Sequence, residues 1–278
     1  MQQGRESQTA VIVCMGRALA HGASGAARFS DPTALALLPP EARQRVERVR
    51  AGEAPKDLRE RVKWSLLAKQ SKMMIARTVA IDDAVRAGAS RQVVILGAGL
   101  DGRAWRMPEL AGVRVFEVDH PTTQGDKRVH ISELSRPAGI IEFVSMDFER
   151  DSLDAVLKRA GHDRSSPTCW IWEGVVMYLA RDVMRATLAG IARSSASGST
   201  LIVNYHTLHR RFIARLMFRL IGEPQISAWT PDEMAADLRS AGFVVREDSS
   251  MADWNKRFAQ NQAKVERAFY MRIANARN

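Results

Sequence analysis

The feature that most constrains this chain is an apolar run that ends in glycines, QVVILGAG at residues 92–99. An unbroken apolar run that enters a glycine turn is typical of a buried parallel strand. The letters from Gly97 to Gly102 fit the pattern G-x-G-x-x-G, in which glycines make the turn without a Cβ clash and let the backbone approach a ligand. The run therefore predicts a strand–turn–helix unit with a ligand site at the carboxyl end of the strand.

Further strands are predicted where apolar runs recur, at residues 113–119, 141–148, 169–176 and 199–206. Helix-like stretches follow them or lie between them, notably at 122–134, 150–160, 181–196 and 208–221. Strands that alternate with helices predict βαβ units and a mostly parallel sheet covered on both faces, which is an α/β fold.

The C-terminal part adds one clear helix start, at Thr230-Pro231-Asp232-Glu233, with Thr230 as the N-cap and proline in the first turn. That helix is expected to end near Gly242. The run FVVRED that follows predicts a strand, and residues 267–274 predict a last strand that returns beside it.

The N-terminal third is predicted to be helical, with helices at residues 8–22, 41–50 and 57–87. In the longest of them, apolar residues recur near helical spacing: Val62, Leu66, Leu67, Met73, Met74, Ala80, Ile81 and Val85. We therefore predict a helical cap at residues 1–88 that covers the ligand site. Residues 89–278 form the predicted Rossmann-like core, with 208–228 as a cap insertion.

Composition places the chain among ordinary globular proteins, with 46% hydrophobic and 26% charged residues in 278. The chain has two cysteines, Cys14 and Cys169, and a single disulfide between them would stabilise little of a chain this size. This low cysteine content predicts a reducing, cytoplasmic setting. Cys169 lies in an apolar run and is expected to be a buried free thiol. No run reaches the roughly 18 apolar residues of a membrane span, and the start lacks the pattern of a secretory signal.

The net charge of +10 fits three kinds of surface: one for nucleic acid, one for an acidic small molecule, or a merely basic one. Nucleic-acid binders usually gather basic residues into a stripe with interleaved aromatics, whereas here they are mostly spread out. One cluster exists, at His209, Arg210, Arg211, Arg215 and Arg219. The charge therefore favours an acidic small substrate or a basic surface over nucleic acid. Homo-oligomerisation stays open.

An acidic residue, Asp119, follows the glycine turn by about 20 residues, at the end of the next predicted strand. A carboxylate there can accept hydrogen bonds from ribose hydroxyls, so Gly97, Gly99 and Asp119 fit either a nicotinamide dinucleotide or S-adenosylmethionine. Asp147 and Phe148, at the end of the third predicted strand, can bind an adenine amino group and pack on its ring. These residues predict a nucleoside site at the carboxyl edge of the sheet.

Two features favour S-adenosylmethionine over a nicotinamide cofactor. The glycine-turn strand follows a long helical stretch, whereas many dehydrogenases open with it. No Tyr-x-x-x-Lys pair exists, because Tyr178, Tyr205 and Tyr270 lack lysine four residues on. A nicotinamide-dependent oxidoreductase, a metal-dependent O-methyltransferase and a non-catalytic cofactor-binding module remain alternatives. Asp119 and Asp147 lie at different strand ends, with no compact metal-ligand spacing, and we predict no metal site.

A set of motifs runs through most of the chain: Asp31-Pro32-x-Ala34, Ala76-Arg77-Thr78, Leu96-Gly97-Ala98-Gly99-Leu100-Asp101-x-Arg103, Phe116-Glu117-Val118-Asp119-x-Pro121, Asp147-Phe148, Trp172-Glu173-Gly174-Val175-x-Met177-Tyr178-Leu179 and Asn204-Tyr205. No single motif is specific, but together they are. With them the chain resembles the leucine carboxyl methyltransferase family, in its bacterial branch of S-adenosylmethionine-dependent methyltransferases. The resemblance implies a class I methyltransferase fold with a seven-stranded, mostly parallel sheet and an N-terminal helical cap.

The resemblance also implies a role for each cofactor-site residue. Arg77 would pair with the cofactor carboxylate and Gly97 would pack under its methionine part. Asp119 would hold the ribose, Asp147 and Phe148 would flank the adenine, and Glu173 would sit beside the sulfonium. Eukaryotic members carry a lysine near the start that also helps to bind the carboxylate, and here only Arg17 is available for it.

The methyl acceptor is expected to be a small-molecule acid, since bacterial relatives include carboxyl methyltransferases of aromatic polyketide pathways such as tetracenomycin biosynthesis. A carboxylate is ionised at pH 7 and needs no base. If the acceptor is instead a phenol or alcohol, His206 is the candidate base, because it ends the fifth predicted strand on the side where α/β sheets bind ligands. In the relatives that this chain resembles, the Asn-Tyr pair lies on the acceptor side, which makes Tyr205 the candidate to orient the acceptor.

Overall fold

A seven-stranded sheet organises the molecule, whose computed structural model describes residues 8–23, 28–88, 90–207, 225–258 and 271–278. Within these ranges the sheet order is β3-β2-β1-β4-β5-β7-β6. The strands are β1 (Gln92–Leu96), β2 (Arg114–Asp119), β3 (Ile140–Ser145), β4 (Thr168–Trp172), β5 (Thr200–His206), β6 (Val244–Ser250) and β7 (Met271–Arg277). Strands β1 to β5 pair in parallel, and β7 runs antiparallel to both β5 and β6. The predicted mostly parallel, seven-stranded α/β sheet is confirmed.

Helices cover both faces of this sheet. Their bounds are α1 (Gln8–Ala20), α2 (Pro40–Arg50), α3 (Leu58–Gly88), α4 (Arg103–Arg106), α5 (Pro121–His130), α6 (Leu153–Arg159), α7 (Arg181–Arg193), α8 (Pro231–Ser240) and α9 (Met251–Phe258). Every residue of β1 and β4 is buried. This is why these strands are continuous apolar runs instead of alternating patterns.

Two cores lie on opposite faces of the sheet, because successive strand residues point to opposite sides. The first core gathers Trp170, Trp172 and Tyr205 against apolar residues of α6, α7 and α8. The second gathers Ile95, Cys169 and other strand residues against α3, α4 and α9. Cys169 is a buried free thiol as predicted, and Cys14 is buried as well.

The start of α8 carries the predicted cap. Thr230 Oγ1 accepts a hydrogen bond from the Glu233 N–H at 3.2 Å, and the Glu233 carboxylate accepts one from the Thr230 N–H at 2.8 Å. This reciprocal capping box satisfies two backbone donors that the helix itself leaves unpaired. The prediction of a helix start at Thr230-Pro231 is therefore confirmed.

Three details differ from the sequence-based expectations. In α3, Val62 and Leu66 are 52% and 43% exposed, because the first half of this helix projects beyond the core that buries Met74 and Ile81. The runs predicted to continue as strands to residues 148 and 176 end earlier, at Ser145 and Trp172, and their last residues form turns. The structure also adds α9, a helix that we did not predict.

The predicted division between a cap and a core at residue 88 stays a prediction. The second half of α3, which lies on the cap side of that division, packs in the same core as the sheet. Most of the predicted cap insertion, with the basic cluster from His209 to Arg219, lies outside the described residues. Within the described ranges, no helix combines the length and apolarity that crossing a membrane would take.

Candidate functional site

The glycine turn joins β1 to the end of β2 through backbone hydrogen bonds. Gly97 and Gly99 have φ angles of +66° and +47°, in the left-handed region that favours glycine. The Gly97 N–H donates to the Val118 carbonyl at 2.8 Å. The Gly99 N–H donates to Asp119 Oδ2, and the His120 N–H donates to Asp119 Oδ1 at 2.7 Å. The structure thus brings Gly97, Gly99 and Asp119 together as the sequence predicted.

The carboxylate of Asp119 keeps acceptor capacity after these two contacts, since each oxygen has a second lone pair. Burial raises the pKa of Asp119, and the hydrogen bonds from Gly99 and His120 oppose that rise. A partly buried acceptor at the carboxyl end of a parallel strand is chemically suited to a vicinal diol such as a ribose.

Gly97 is also required by its neighbour, because a Cβ built on it would lie 2.2 Å from Val175 Cγ2. We expect Gly97→Ala to destabilise the fold by about 1–3 kcal/mol of overpacking and about 1–2 kcal/mol of backbone strain. The double variant Gly97→Ala/Val175→Ala should recover the overpacking part, as urea unfolding would measure. Gly112→Ala is the matched control, since Gly112 has φ +72° and no described atom within 4 Å of a built Cβ. A double variant no more stable than Gly97→Ala would contradict this account.

Arg77 and Glu173 form an ion pair below this turn. Arg77 on α3 places Nη2 2.7 Å from Glu173 Oε1, just after β4, and Arg103 on α4 places Nη1 2.8 Å from Glu173 Oε2. Burial alone would raise the pKa of Glu173, but the two guanidinium groups lower it below its ordinary value. Burial lowers the pKa of Arg77. In the structure two arginines are therefore the cationic partners of Glu173, and its predicted place beside the sulfonium stays a prediction.

This pair belongs to a larger buried charge cluster between α1, α3, α4 and the glycine turn. Arg103 also contacts Asp82 at 2.8 Å and Asp101, and Arg106 contacts Asp82 at 2.6 Å. Arg17 contacts Asp31 at 3.1 Å and donates to the Leu100 carbonyl. We call the following eight residues the arginine–carboxylate cluster: Arg17, Arg77, Arg103, Arg106, Asp31, Asp82, Asp101 and Glu173. Positive and negative side chains are equal in number, as buried charges require.

Helix α1 lies over the glycine turn. A Cβ built on Gly99 would lie 3.1 Å from the Ala10 Cβ, and Thr9 Oγ1 lies 3.3 Å from the Tyr178 hydroxyl. Through Arg17, α1 is also linked to the turn itself at Leu100. The N-terminal helix is thus placed to cover whatever the turn binds.

His206 and Tyr205 point to opposite faces of β5, as neighbouring strand residues must. The His206 side chain is 7% exposed on the face toward α3, and its pKa is lowered to about 4 by burial and then by the charge of Arg77. Its imidazole is therefore neutral at pH 7. The Tyr205 hydroxyl donates to Asp248 Oδ2 at 2.6 Å across the sheet, which keeps it apart from the other predicted site residues.

Asp147 and Phe148 lie in the turn after β3. Asp147 Oδ1 accepts the Glu149 N–H at 3.0 Å, and its own N–H donates to Asp151 at 2.8 Å. Phe148 is half-buried and packs on the first core. Both residues therefore lie beyond a strand end at the same edge of the sheet as Asp119, where parallel strands present their carboxyl ends.

Comparison with known proteins bears on this arrangement. The model of the leucine carboxyl methyltransferase family matches residues 10–192. The chain belongs to this family. The match runs from α1, through the glycine turn, Asp119, Asp147 and Glu173, to α7, so it contains most of the candidate site.

Similar bacterial chains are named as presumed S-adenosyl-L-methionine-dependent methyltransferases. One, from Mycobacterium marinum, is 34% identical over 208 residues, which is 71% of this chain and 65% of that protein. Another, from Streptomyces coelicolor, is 38% identical over 132 residues, 46% of each chain. This chain therefore matches between about half and two thirds of the length of these relatives.

Solved structures share the fold at low sequence identity. A DUF574 family protein from Streptomyces avermitilis matches with a TM-score of 0.59 and 15% identity, over 97% of both chains. A structure described as a presumed methyltransferase, from Thermobifida fusca, matches with a TM-score of 0.57 and 16% identity, over 88% of this chain and 92% of that one. The class I methyltransferase fold that the sequence predicted is confirmed for this family member.

Proposed function

We propose that this protein is an S-adenosylmethionine-dependent O-methyltransferase that acts on a small-molecule acid, a carboxylate of a secondary metabolite. The observation that carries the proposal is the joint placement of Asp119 with the glycine turn and of Arg77 with Glu173, in a chain of this family. Both pairs lie where parallel α/β sheets bind ligands.

The residues fit this cofactor in their chemistry. Asp119 offers a partly buried acceptor for ribose hydroxyls, and the positive φ angles of Gly97 and Gly99 let the backbone turn close to a ligand. Arg77 offers a guanidinium for a carboxylate, and its buried Nε has no hydrogen-bond partner among the described residues. Glu173 offers a negative charge for an ammonium or sulfonium. When bound, the cofactor would supply an activated methyl group.

The protein's own contribution would be positioning. Arg77 and Glu173 already hold each other in place as an ion pair. The zwitterionic amino acid group of the cofactor would therefore meet both charges without rearranging them. Helix α1 would cover the turn and exclude water. Because methyl transfer is an in-line displacement, holding the acceptor and the methyl group in line supplies much of the lowering of the barrier.

A carboxylate acceptor is supported by the low basicity of the His206 imidazole. With a pKa lowered to about 4 by burial and Arg77, its imidazole is a weaker base than a phenolate by a factor of about 10⁶. Deprotonating a phenol would therefore be strongly uphill, whereas a carboxylate needs no deprotonation at pH 7. The family resemblance to polyketide carboxyl methyltransferases supports a small acid, as an analogy.

A phenol or hydroxyl acceptor is the second candidate, because His206 is neutral at pH 7 and could accept a proton. His206→Ala separates the two candidates. Turnover should fall strongly with a phenolic acceptor and only mildly with a carboxylate. A large loss with a carboxylate acceptor would contradict base-free transfer.

The same histidine should make stability depend on pH. The folded-state pKa of about 4 lies below the ordinary 6.5, so folding is favoured above pH 6.5 and the stabilisation is lost as pH falls towards 4. The loss is on the order of 3 kcal/mol. His206→Gln should flatten this part of the curve of unfolding free energy against pH. Burial also lowers the pKa of His162 to about 4. His162 therefore contributes a similar dependence of unfolding free energy on pH, and this contribution should remain in His206→Gln. An unchanged slope in His206→Gln would contradict the assignment.

The proposed function is tested by methyl transfer. Purified protein is mixed with methyl-labelled S-adenosylmethionine and a metabolite extract from its source. Label that mild base releases as methanol would identify a methyl ester, and base-stable label would favour the phenol or hydroxyl acceptor. Calorimetry with S-adenosylhomocysteine and with NADH separates the oxidoreductase alternative, since binding of NADH alone would refute the proposal.

A further inference from the structure

A buried lysine lies directly beneath the glycine turn. Lys127 on α5 is 1% exposed. Its Nζ donates to the Asp101 carbonyl at 2.6 Å and to Glu117 Oε2 at 2.5 Å, and lies 5.2 Å from the centre of the Trp105 ring. The ammonium group therefore bridges the turn and β2, and it lies against an aromatic ring of α4.

The Lys127–Glu117 pair is costly to bury. Removing two charges from water can cost more than their attraction returns, and well-packed apolar residues often replace such pairs without loss of stability. Burial raises the pKa of Glu117 to about 7 even with Lys127 beside it. Stability alone is therefore a weak reason for this pair, and its geometry offers a different one.

That geometry connects the pair to both halves of the candidate site. Glu117 lies two residues before Asp119, on the same face of β2. Asp101, whose carbonyl Lys127 holds, accepts the Arg103 N–H at 2.7 Å, and Arg103 reaches Glu173 at 2.8 Å. Lys127 thus links β2, through Glu117, to the turn that carries Gly97 and Gly99, through the Asp101 carbonyl.

We propose that Lys127 is a positioning residue, which fixes the glycine turn through the Asp101 carbonyl for binding of the adenosyl cofactor, with Glu117 as its counterion. The inference rests on the proposed function. An apolar pair at these positions could fill the space but could not donate to the Asp101 carbonyl. Affinity for the cofactor and stability of the fold should therefore separate when both charges are removed.

The test uses S-adenosylhomocysteine as the probe and four proteins: wild type, Lys127→Met, Lys127→Met/Glu117→Met and Lys158→Met. Lys158 is an exposed lysine on α6 and serves as the matched control. Lys127→Met should lower both Tm and affinity, because it leaves Glu117 buried without its partner. The double variant should return to a Tm near that of wild type while its Kd stays at least tenfold weaker.

A second measurement needs no ligand. Amide hydrogen exchange at residues 97–103 should be at least tenfold faster in the double variant than in wild type, at matched Tm. A double variant that recovers both affinity and slow exchange would overturn the proposal, because the pair would then be only structural. If wild type binds no S-adenosylhomocysteine but the turn exchanges faster in the double variant, the proposed function fails and the positioning of the turn stands.

Discussion

Glu173→Gln is expected to destabilise the fold by about 3 kcal/mol, since breaking a buried ion pair leaves an uncompensated charge. Glu173 balances Arg77 at 2.7 Å and Arg103 at 2.8 Å. Arg103 retains Asp82 and Asp101 when that charge is removed. Among the described residues, Arg77 then keeps only a 3.9 Å contact from its Nη1 to Met271 Sδ. Urea unfolding measures the loss.

The ligand dependence of this variant carries more information. If Glu173 lies beside the sulfonium, Glu173→Gln should lose more affinity for S-adenosylmethionine than for S-adenosylhomocysteine, which lacks the positive sulfur. Calorimetry with both compounds measures the two losses of affinity, and their ratio is the result that matters. Arg77→Met/Glu173→Gln is the stability control, because it removes both charges of the pair and should recover part of the unfolding free energy. Equal losses for the two compounds would contradict the placement beside the sulfonium.

Asp119→Asn is expected to weaken binding of the cofactor by about 100-fold while the fold persists. The two carboxylate oxygens accept the N–H groups of Gly99 and His120. An amide puts an N–H donor against one of these donors in either orientation, so one backbone bond is lost together with an acceptor for the ribose. A hydrogen bond to a charged group is worth about 1.5–3 kcal/mol, and each 1.4 kcal/mol is a factor of ten in Kd.

Asp163→Asn is the matched control for this change. Asp163 Oδ1 also accepts a backbone N–H, from Ser165 at 2.9 Å, but it is exposed and lies in the loop before β4, at the opposite edge of the sheet. Calorimetry with S-adenosylhomocysteine should show unchanged affinity for this control. If both variants bind equally well, Asp119 does not hold the ribose.

Strands were the most predictable elements, because burial on both faces leaves an unbroken apolar run. β1 and β4 are the clearest cases. The helix α9 was missed although it carries a signal at its start. Ser250 Oγ donates to Asp253 Oδ2 at 2.6 Å, and the Ser250 N–H donates to the same oxygen at 2.8 Å. The usual capping box has glutamate at this position, and the shorter aspartate hid the pattern.

The candidate site was predictable where its residues lie at the carboxyl ends of neighbouring strands. Gly97, Gly99 and Asp119 come from two adjacent strands, so their contact follows from sheet order. The partners of Glu173 could not be predicted in this way, because Arg77 and Arg103 reach it from helices that lie far from Glu173 in the chain.

The larger set of buried charges was also missed. Asp82, Asp101, Arg106 and Lys127 are residue types typical of solvated helix faces and turns, and only packing shows that their side chains are buried. The family motif did contain Asp101 and Arg103, which was the one available signal.

The position of β7 has a consequence for how the chain is made. β7 lies between β5 and β6 but is synthesised after both. On a growing chain, β1 to β4 gain all their sheet neighbours by the time β5 exists, whereas the outer edge of β5 waits for residues 271–277. An open strand edge is a template for pairing with another chain. The outer edge of β5 is therefore open to mispairing with other chains until residues 271–277 have been made, although it becomes an interior position of the finished sheet.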